Sequence, residues 1–361
     1  MPRERRTKGA GDLRAACLLV LAGLLAPAAC APRETSSGAG AAESEAALQL
    51  QGPAYGTLWH LTVVPQGELD TADLLTEMQA VLERVDARMS TWRADSELSR
   101  FADAPAELPF PVSTETALVV TEALRVWQLT DGAFDPTVMP LVDLWGFGPA
   151  GRELPAPTEA QLLAALAQVG ADKLSVVDDA LVKSVDGLAL DLSAIAKGYA
   201  VDALHDRLHA LGQTRFLVEV GGELRTSGEA PGGRPWRVGI DRPATGGTPG
   251  TSLQAVIAPD GRSVATSGDY RNVRTLDDGR FSHTIDPRTG RPVEHDLASA
   301  TVLAPTCMEA DAIATALMVL GADAGLALIE SLPDVDAFLV LRVEAGYAVL
   351  ASSGFPEPLE D

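Results

Sequence analysis

The second half of the chain is a series of short apolar runs of strand length, separated by turns rich in glycine and aspartate. Alternating side chains and β-branched residues identify such runs as strands rather than helices. The predicted strands have the sequences RFLVEVGG, WRVGIDRP, LQAVIAP, RSVATSG, FSHTIDP, SATVLAP, AFLVLRV and YAVLAS. A strongly apolar helix, CMEADAIATALMVLG, interrupts them. Runs of strands with few helices between them predict an α+β fold with mixed or antiparallel sheets packed with helices.

The first half supplies most of the helices. Apolar residues spaced three and four apart predict amphipathic helices, and Ser113 is a plausible N-cap for one of them. The predicted helices cover residues 70–88, 114–129, 158–169 and about 194–211. Further strands are predicted over residues 56–65, 173–177, 181–184 and 188–192. A chain of this length can bury one large core, in a single domain or in two intimately joined lobes.

The N-terminus is typical of an export signal. Basic residues precede an apolar run, Ala15–Ala29, that is shorter than the about 20 residues of a membrane span but suits a secretory signal. Small residues then lead into Cys30, as in a lipoprotein cleavage site. We therefore expect residues 1–29 to be a signal peptide and Cys30 to carry lipid, which would anchor the exported protein on the periplasmic side of a bacterial membrane. A buried N-terminal helix is the alternative.

Residues 30–50 predict a flexible tether, because they are rich in Ala, Gly, Ser and Glu and contain no aromatic residue. The folded domain would then cover residues 51–361. Once the signal is removed and Cys30 is lipidated, Cys307 is the remaining thiol, so the fold must rest on core burial rather than on a disulfide. We expect Cys307 to be a small buried hydrophobe, with a nucleophile as the alternative.

The chain is strongly acidic. Its net charge of −22 becomes −25 once residues 1–29, which hold five basic and two acidic residues, are removed. Such a surface argues against binding to nucleic acid or to a membrane through a basic face. An anionic ligand would therefore need a local exception, namely a metal ion or a cluster of backbone N–H groups.

Two stretches in the first half carry more polar or glycine residues than a core needs. In MSTWRADSELSRFA (89–102), Trp92 and its polar neighbours suit stacking on a planar ligand. The alternative is a loop that caps the next helix. In DGAFDPTVMPLVDLWGFGP (131–149), apolar residues surround Asp135. A buried carboxylate must be paired or hydrogen-bonded, and N–H groups of a ligand's heterocycle are one way to satisfy it.

Two further stretches suggest anion and cation binding. LDLSAIAKGYAVDAL (190–204) runs from a strand into a helix whose first turn carries Ser193 and Lys197, where a phosphate could bind. A solvated surface lysine is the alternative, and the lack of a Walker pattern excludes P-loop chemistry. In TCMEADAIATALMVLG (306–321), Asp311 and Thr315 are four residues apart and face the same way. Their hard oxygens suit Mg²⁺, although a capping Asp and a backbone-bonded Thr would look alike.

Seven segments, in this order, resemble the FAD:protein FMN transferases, the ApbE family. They are MSTWRADSELSRF, GAFDPTVMPLVDLWGFGP, DLSAIAKGYAVD, VEVGGEL, ATSGDYRN, SHTIDPRTGRPV and APTCMEADAIATALMVLG, within a resemblance that spans about residues 54–350. The resemblance implies an ApbE-like, T-fold-related domain. It also implies an enzyme that binds FAD with Mg²⁺, cleaves the pyrophosphate and moves FMN onto a Thr or Ser hydroxyl of a client protein, releasing AMP. The client would be a redox subunit of the sodium-pumping quinone reductase type or a relative.

The resemblance also assigns roles to single residues. The metal ligands would be the Ala194 carbonyl, the Asp311 carboxylate and the Thr315 hydroxyl, with the Ala314 carbonyl as a further one. Trp92 would stack on the flavin, and Asp135 would read the adenine edge. The other expected FAD contacts are Tyr55, Ala133, Phe134, Asp191, Lys197 and Ile285.

Several positions depart from the family pattern. Tyr55 replaces the usual Met, Ser193 and Ala194 stand where many members carry two glycines, and Glu219 stands where Asn or Ser is common. Only the backbone carbonyl is needed at Ala194. These departures leave the predicted ligand set unchanged, except for the contact made by Tyr55.

The resemblance places SHTIDPRTG at the rim of the active site. With an ordinary pKa close to neutrality, His283 could take the acceptor hydroxyl's proton as a general base. We expect Asp286 either to orient a neighbour or to pair with Arg288 and hold the turn, and Asp286, Pro287 and Gly290 mainly to form a tight turn. Two other functions remain open: a Mg²⁺-dependent FAD pyrophosphatase that yields FMN and AMP, and a non-catalytic, lipid-anchored flavin-binding protein. Retention of Asp311 and Thr315 argues against the latter, because storage needs no metal.

Overall fold

An eight-stranded antiparallel sheet organises the fold, in the order β1-β2-β6-β7-β10-β15-β16-β17. The strands are β1 (Leu48–Ala54), β2 (Thr57–Val63), β3 (Phe110–Pro111), β4 (Leu174–Val177), β5 (Ala180–Lys183), β6 (Phe216–Val220), β7 (Glu223–Ser227), β8 (Val238–Asp241), β9 (Leu253–Ile257), β10 (Ser263–Gly268), β11 (Val273–Leu276), β12 (Gly279–Ser282), β13 (Ile285–Asp286), β14 (Arg291–Pro292), β15 (Leu297–Ala304), β16 (Asp336–Val343) and β17 (Gly346–Ala351). The helices are α1 (Thr71–Met89), α2 (Glu97–Ala102), α3 (Thr114–Leu129), α4 (Met139–Leu144), α5 (Glu159–Leu166), α6 (Ala196–Ala210), α7 (Cys307–Leu320) and α8 (Ala322–Ile329).

The computed structural model describes residues 45–149, 155–243, 250, 252–269, 273–276 and 279–360. The predicted signal peptide and Cys30 lie outside these residues. β1 begins at Leu48, so the last three residues of the predicted tether, 48–50, belong to a strand. None of the helices in the described ranges is both long and apolar enough to span a membrane.

Both faces of the central strands of the sheet are covered. Inward-facing residues of β2 and β6, such as Trp59, Leu61 and Phe216, pack in one large core with residues of α1, α6 and α7. On the opposite face, β8 and β9 contribute Val238 and Ile257 to a smaller cluster with β7, β10, β15 and β16. All eight residues of β15 are buried as a result. Antiparallel sheets packed with helices confirm the predicted α+β class.

Local signals account for several helices. α1 begins after Asp70, whose carboxylate accepts hydrogen bonds from the N–H groups of Ala72 and Asp73, and its apolar stripe is buried. α3 spans Thr114–Leu129 as predicted, with Ser113 as its N-cap. Short capping signals and a 3.6-residue period therefore fix these helices with little help from distant contacts.

Two predicted strands are wrong. Residues 188–192 are not a strand: their leucines alternate inward, but the Asp191 N–H donates to the Pro136 carbonyl and the Leu188 carbonyl accepts from Lys183 Nζ instead of joining a ladder. The predicted strand FSHTIDP is broken into β12 and β13, with His283 between them. The alternating pattern indicates an extended backbone at both places, but it does not reveal the bonding partner.

A close approach of α6 and α7 positions the site. A Cβ atom added at Gly198 would lie 2.2 Å from the carbonyl oxygen of Cys307, so only glycine fits there. Asp202, one turn further along α6, accepts the N–H groups of Cys307 and Met308 at the start of α7. This packing brings the first turn of α6 beside the second turn of α7.

Candidate active site

A cleft of about 710 Å³ lies beside the start of α6, the part of α7 that follows its first turn, and the end of β10. The predicted site residues that line it come from segments far apart in the chain. They are Trp92, Ala133, Phe134, Asp135, Asp191, Ala194, Lys197, His283, Ile285, Asp311 and Thr315. Tyr55 and Ala314 are not among the described residues that line this cleft.

Three of the four predicted metal ligands, Ala194, Asp311 and Thr315, line this cleft. Asp311 is only 2% exposed, and its Oδ2 accepts the N–H of Gly198 at 3.0 Å. One turn later, the hydroxyl of Thr315 lies 3.1 Å from the hydroxyl of Ser267 on β10. The cleft thus offers a buried carboxylate and two hydroxyls, with Ala194 in the same lining, and such hard oxygens suit Mg²⁺. Among the described residues, no cluster of three or more His, Cys, Asp or Glu side chains offers a different kind of metal site.

Ala314 lies on α7, directly before Thr315. Its side chain is fully buried in the large core, on a turn of α7 between Asp311 and Thr315. That its backbone carbonyl is a metal ligand stays a prediction.

Asp311, Thr315 and Ser267 form what we call the metal corner. Lys197 connects it to a second carboxylate. Its Nζ lies 3.4 Å from Oδ1 of Asp311 and 3.2 Å from Oε1 of Glu223, the first residue of β7. Burial favours the neutral amine, but the two carboxylates outweigh it and raise the pKa of Lys197. Burial raises the pKa of Glu223 and Asp311 adds to that rise, whereas the ammonium of Lys197 acts against it and stabilises the charged carboxylate. The ammonium is thus charged and faces the cleft.

Asp135 is buried and already satisfied by the protein. Its Oδ1 accepts the backbone N–H of Thr137 at 2.8 Å and the Thr137 hydroxyl at 2.5 Å, and its Oδ2 accepts the N–H of Ala171 at 3.1 Å. Burial raises the pKa of Asp135, and the bonds from Thr137 and Ala171 lower it. The carboxylate therefore holds the loop that presents Ala133 and Phe134 to the cleft.

The aromatic residue predicted to stack on the flavin stands at the mouth of the cleft. Trp92 is 71% exposed and lines both this cleft and an adjoining groove of about 1150 Å³. Tyr55 lies in that groove, and its hydroxyl donates to the carbonyl of Leu82 at 3.0 Å. The cleft and the groove share Trp92, Ser193 and Lys197.

His283 lies in the break between β12 and β13 and lines the cleft. Its ring meets the ring of Phe147 edge-on, with centroids 6.4 Å apart. Asp286 forms a two-armed ion pair with Arg288, at 2.9 Å in each arm, and its carbonyl accepts the N–H of Gly290. The ion pair confirms that Asp286 and Arg288 hold the turn that follows His283.

Sequence reasoning missed several residues of the cleft, among them Phe147, Glu223 and Ser267. Glu223 and Ser267 do lie in the segments VEVGGEL and ATSGDYRN, whose glycines and hydroxyls indicate a special loop. Strand pairing, which the sequence pattern does not reveal, places Glu223 beside Lys197 and Ser267 beside Thr315.

Comparisons with known proteins point to one family. The model of the ApbE family matches residues 55–339. A protein of Vibrio cholerae named FAD:protein FMN transferase is 43% identical over 309 residues, covering 85% of this chain and 91% of the relative. Its namesake from Haemophilus influenzae is 39% identical over 320 residues, covering 87% of this chain and 92% of the relative.

Solved structures show the same fold. The flavin transferase ApbE from Vibrio cholerae superposes with a TM-score of 0.79 at 43% identity, over 86% of this chain and 99% of that chain. The apo form of the flavinyl transferase ApbE from Pseudomonas stutzeri gives a TM-score of 0.79 at 39% identity, over 86% of this chain and 96% of that chain.

Proposed function

The chain belongs to the ApbE family and is an enzyme of that family, and we propose that it is an FAD:protein FMN transferase that uses Mg²⁺. In this function it cleaves FAD, attaches FMN through a phosphoester to a Thr or Ser of a client redox protein, and releases AMP. One observation carries the proposal: Trp92, Lys197, Asp311 and His283 line the same cleft.

The oxygen donors around α7 form the electrophilic end of the site. Asp311, Thr315 and the Ala194 carbonyl would hold Mg²⁺, which neutralises pyrophosphate charge and polarises the phosphorus when bound. Gly198 and Ser267 hold two of these ligands through hydrogen bonds. The ammonium of Lys197 supplies a further positive charge for the pyrophosphate in an otherwise acidic protein.

His283 supports the group-transfer step. The oxygen of the client hydroxyl attacks the phosphorus of the FMN half, the bond from that phosphorus to the bridging oxygen breaks, and AMP leaves with that oxygen. His283 takes the proton of the attacking hydroxyl as a general base. Its place on the rim, in a break between two short strands, leaves the ring beside the cleft rather than inside the core.

The two ring systems of FAD suit the two ends of the cleft. Trp92 offers an exposed aromatic face for the flavin. Ala133 and Phe134 form a buried wall for the adenine, next to the loop that Asp135 holds. Ile285 adds apolar surface, and Asp191 caps the segment that carries Ser193 and Ala194 by accepting the N–H of Ser193.

The proposed location of the enzyme follows from its N-terminus. Residues 1–29 would direct export, and lipid on Cys30 would hold the folded domain at the periplasmic side of the membrane. Clients would then be exported or membrane-bound redox subunits. Metabolic labelling with a fatty acid, compared between the wild type and Cys30→Ser, tests the anchor: label on the variant would remove Cys30 as the lipidated residue.

The activity is tested by incubating the mature domain with FAD, Mg²⁺ and a candidate client. We expect a fluorescent client band on a denaturing gel and one AMP released per flavin transferred. AMP and FMN without labelled client, repeated with several clients, would indicate the pyrophosphatase. Bound but uncleaved FAD would indicate the flavin-binding protein.

A further inference from the structure

Glu223 is a buried acidic residue whose role is not explained by the metal corner or by the transfer step. It is 3% exposed, lines the cleft and follows the glycine turn between β6 and β7. Its Oε1 lies 3.2 Å from Lys197 Nζ, and its buried Oε2 makes no hydrogen bond to any described residue. A buried carboxylate oxygen without a donor is costly, so this one calls for an explanation.

We propose that Glu223 is a positioning residue, which keeps the ammonium of Lys197 aimed at the phosphates of the substrate while Asp311 binds the metal ion. This inference rests on the proposed function, because it assumes a phosphate-bearing substrate and a cation at Asp311.

The charges of the cluster explain why a second carboxylate is needed. Lys197 lies between Asp311 and Glu223, at 3.4 and 3.2 Å. A divalent cation on Asp311 repels the neighbouring ammonium of Lys197. It also neutralises the carboxylate charge that attracts this ammonium in the absence of metal. Glu223 is then the carboxylate left to hold Lys197, and its unused Oε2 is a second acceptor to which the ammonium can shift.

The surrounding backbone fixes Glu223 in this place. Glu223 pairs with Val220 across the β6–β7 turn. A Cβ atom added at Gly221 would lie 3.5 Å from Cδ of Lys197 and 3.6 Å from Oε2 of Glu223, so the turn packs against both side chains. Gly221 has a φ of 65°, which favours glycine. The carboxylate therefore sits on a rigid hairpin, as a positioning group requires.

The other glutamate of this hairpin offers a matched control. Glu219 contacts His60 at 2.5 Å through Oε2, and its Oε1 accepts the N–H of Gly222. It is not among the described residues that line the cleft. Glu219→Gln removes the same charge from the same hairpin without touching Lys197.

The test is a double-mutant cycle on binding, read by flavin fluorescence quenching with Mg²⁺ at saturation. FAD and riboflavin, which lacks phosphates, serve as ligands for the wild type, Glu223→Gln, Lys197→Met and the double variant. We expect Glu223→Gln to weaken FAD binding about tenfold or more and to leave riboflavin binding unchanged. The double variant should bind FAD no more weakly than Lys197→Met alone, because one residue acts through the other.

Three outcomes would overturn the proposal: FAD binding unchanged in Glu223→Gln, equal weakening of FAD and riboflavin, or additive effects of the two substitutions. If Glu223→Gln does not fold, Glu223→Asp takes its place, since it keeps the charge but shortens the reach; unchanged FAD affinity there would equally contradict the proposal. The cycle needs no client, so a wild type that binds FAD but labels no client would refute the transferase function and leave the role of Glu223 decided by these binding data.

Discussion

At the scale of single residues, Asp311 is the carboxylate that we propose as a ligand of the cation. The residue is almost fully buried, yet within the described part of the chain its oxygens contact one backbone N–H and one ammonium at 3.4 Å. A buried carboxylate normally collects close partners, so the loose contact with Lys197 leaves Oδ1 ready for a stronger one.

We expect Asp311→Asn to abolish metal-dependent FAD cleavage, because an amide loses the charge that binds the cation. The fold should survive, since the amide oxygen can still accept the Gly198 N–H. Glu309→Gln is the control: Glu309 lies on the same helix but pairs with Arg125 at 2.6 Å on the outside. Isothermal titration with Mg²⁺ and an AMP-release assay check the prediction, and wild-type turnover in Asp311→Asn would remove Asp311 from the metal site.

His283→Ala should lower the rate of flavin transfer by roughly two to four orders of magnitude, because the acceptor hydroxyl loses its base. FAD affinity should change little, since the imidazole acts on the acceptor and not on the nucleotide. The wild-type rate should fall on the acidic side as the imidazole is protonated, and the variant should lack that limb. Single-turnover transfer with both substrates saturating gives the rate; a near-normal value in His283→Ala would refute the assignment.

Trp92→Ala should weaken FAD binding by about 1 kcal/mol, because the stacked ring is lost and the exposed side chain has little structural role. Bound flavin should also quench the fluorescence of Trp92. Leu108→Ala is a suitable control, since Leu108 is likewise an exposed apolar side chain but does not line either cavity in the described residues. Equal FAD affinities in wild type and Trp92→Ala would show that the ring does not stack on the ligand.

At the scale of elements, the contact between α6 and α7 decides the geometry of the site. Gly198 lets α6 approach the carbonyl of Cys307, and its N–H then reaches Asp311. Gly198 thus has two roles: it allows α6 and α7 to pack closely, and it donates a hydrogen bond to Asp311.

Gly198→Ala should lower the free energy of unfolding by about 1–3 kcal/mol and weaken Mg²⁺ binding, because the added methyl meets backbone atoms that cannot move alone. Gly325→Ala is the control, since its methyl would meet only the movable end of the Leu317 side chain, at 2.9 Å. Urea unfolding and Mg²⁺ titration of both variants provide the measurement. Full Mg²⁺ affinity in a folded Gly198→Ala would show that the close approach is not needed for the site.

Comparing elements also shows what the sequence can predict. α3 is predicted to the residue, because its cap and its apolar period lie within the helix itself. Residues 188–192 are misassigned because their backbone groups bond to the distant Pro136 carbonyl and to the side chain of Lys183, and an alternating pattern reveals neither partner. The site follows the same rule. Helical spacing predicts that Asp311 and Thr315 lie on one face of α7, whereas the position of Glu223 depends on the pairing of β7 with β6. The remaining FAD contacts are predicted by the family resemblance and not by the local sequence pattern.

At the scale of the whole molecule, the residues that line the cleft come from many segments, between Trp92 and Val319. The segments around Trp92 and Phe134, the start of α6, and the strands and helix of the second half all meet there. A ligand that touches them all stabilises the folded state as a whole, because the unfolded chain cannot form the site.

FAD together with Mg²⁺ should therefore raise the melting temperature of the entire domain in one cooperative step. At FAD concentrations about 100-fold above its dissociation constant, the gain is about 2.7 kcal/mol, which corresponds to several degrees for a chain of this size. EDTA should remove most of the FAD-dependent shift, since the metal and the nucleotide bind to adjoining groups. Scanning calorimetry of the wild type, Asp311→Asn and Glu309→Gln separates the contributions, and only Asp311→Asn should lose the effect of Mg²⁺. An equal shift with FAD in EDTA would mean that the nucleotide binds without the metal corner, and that Asp311 does not link the two.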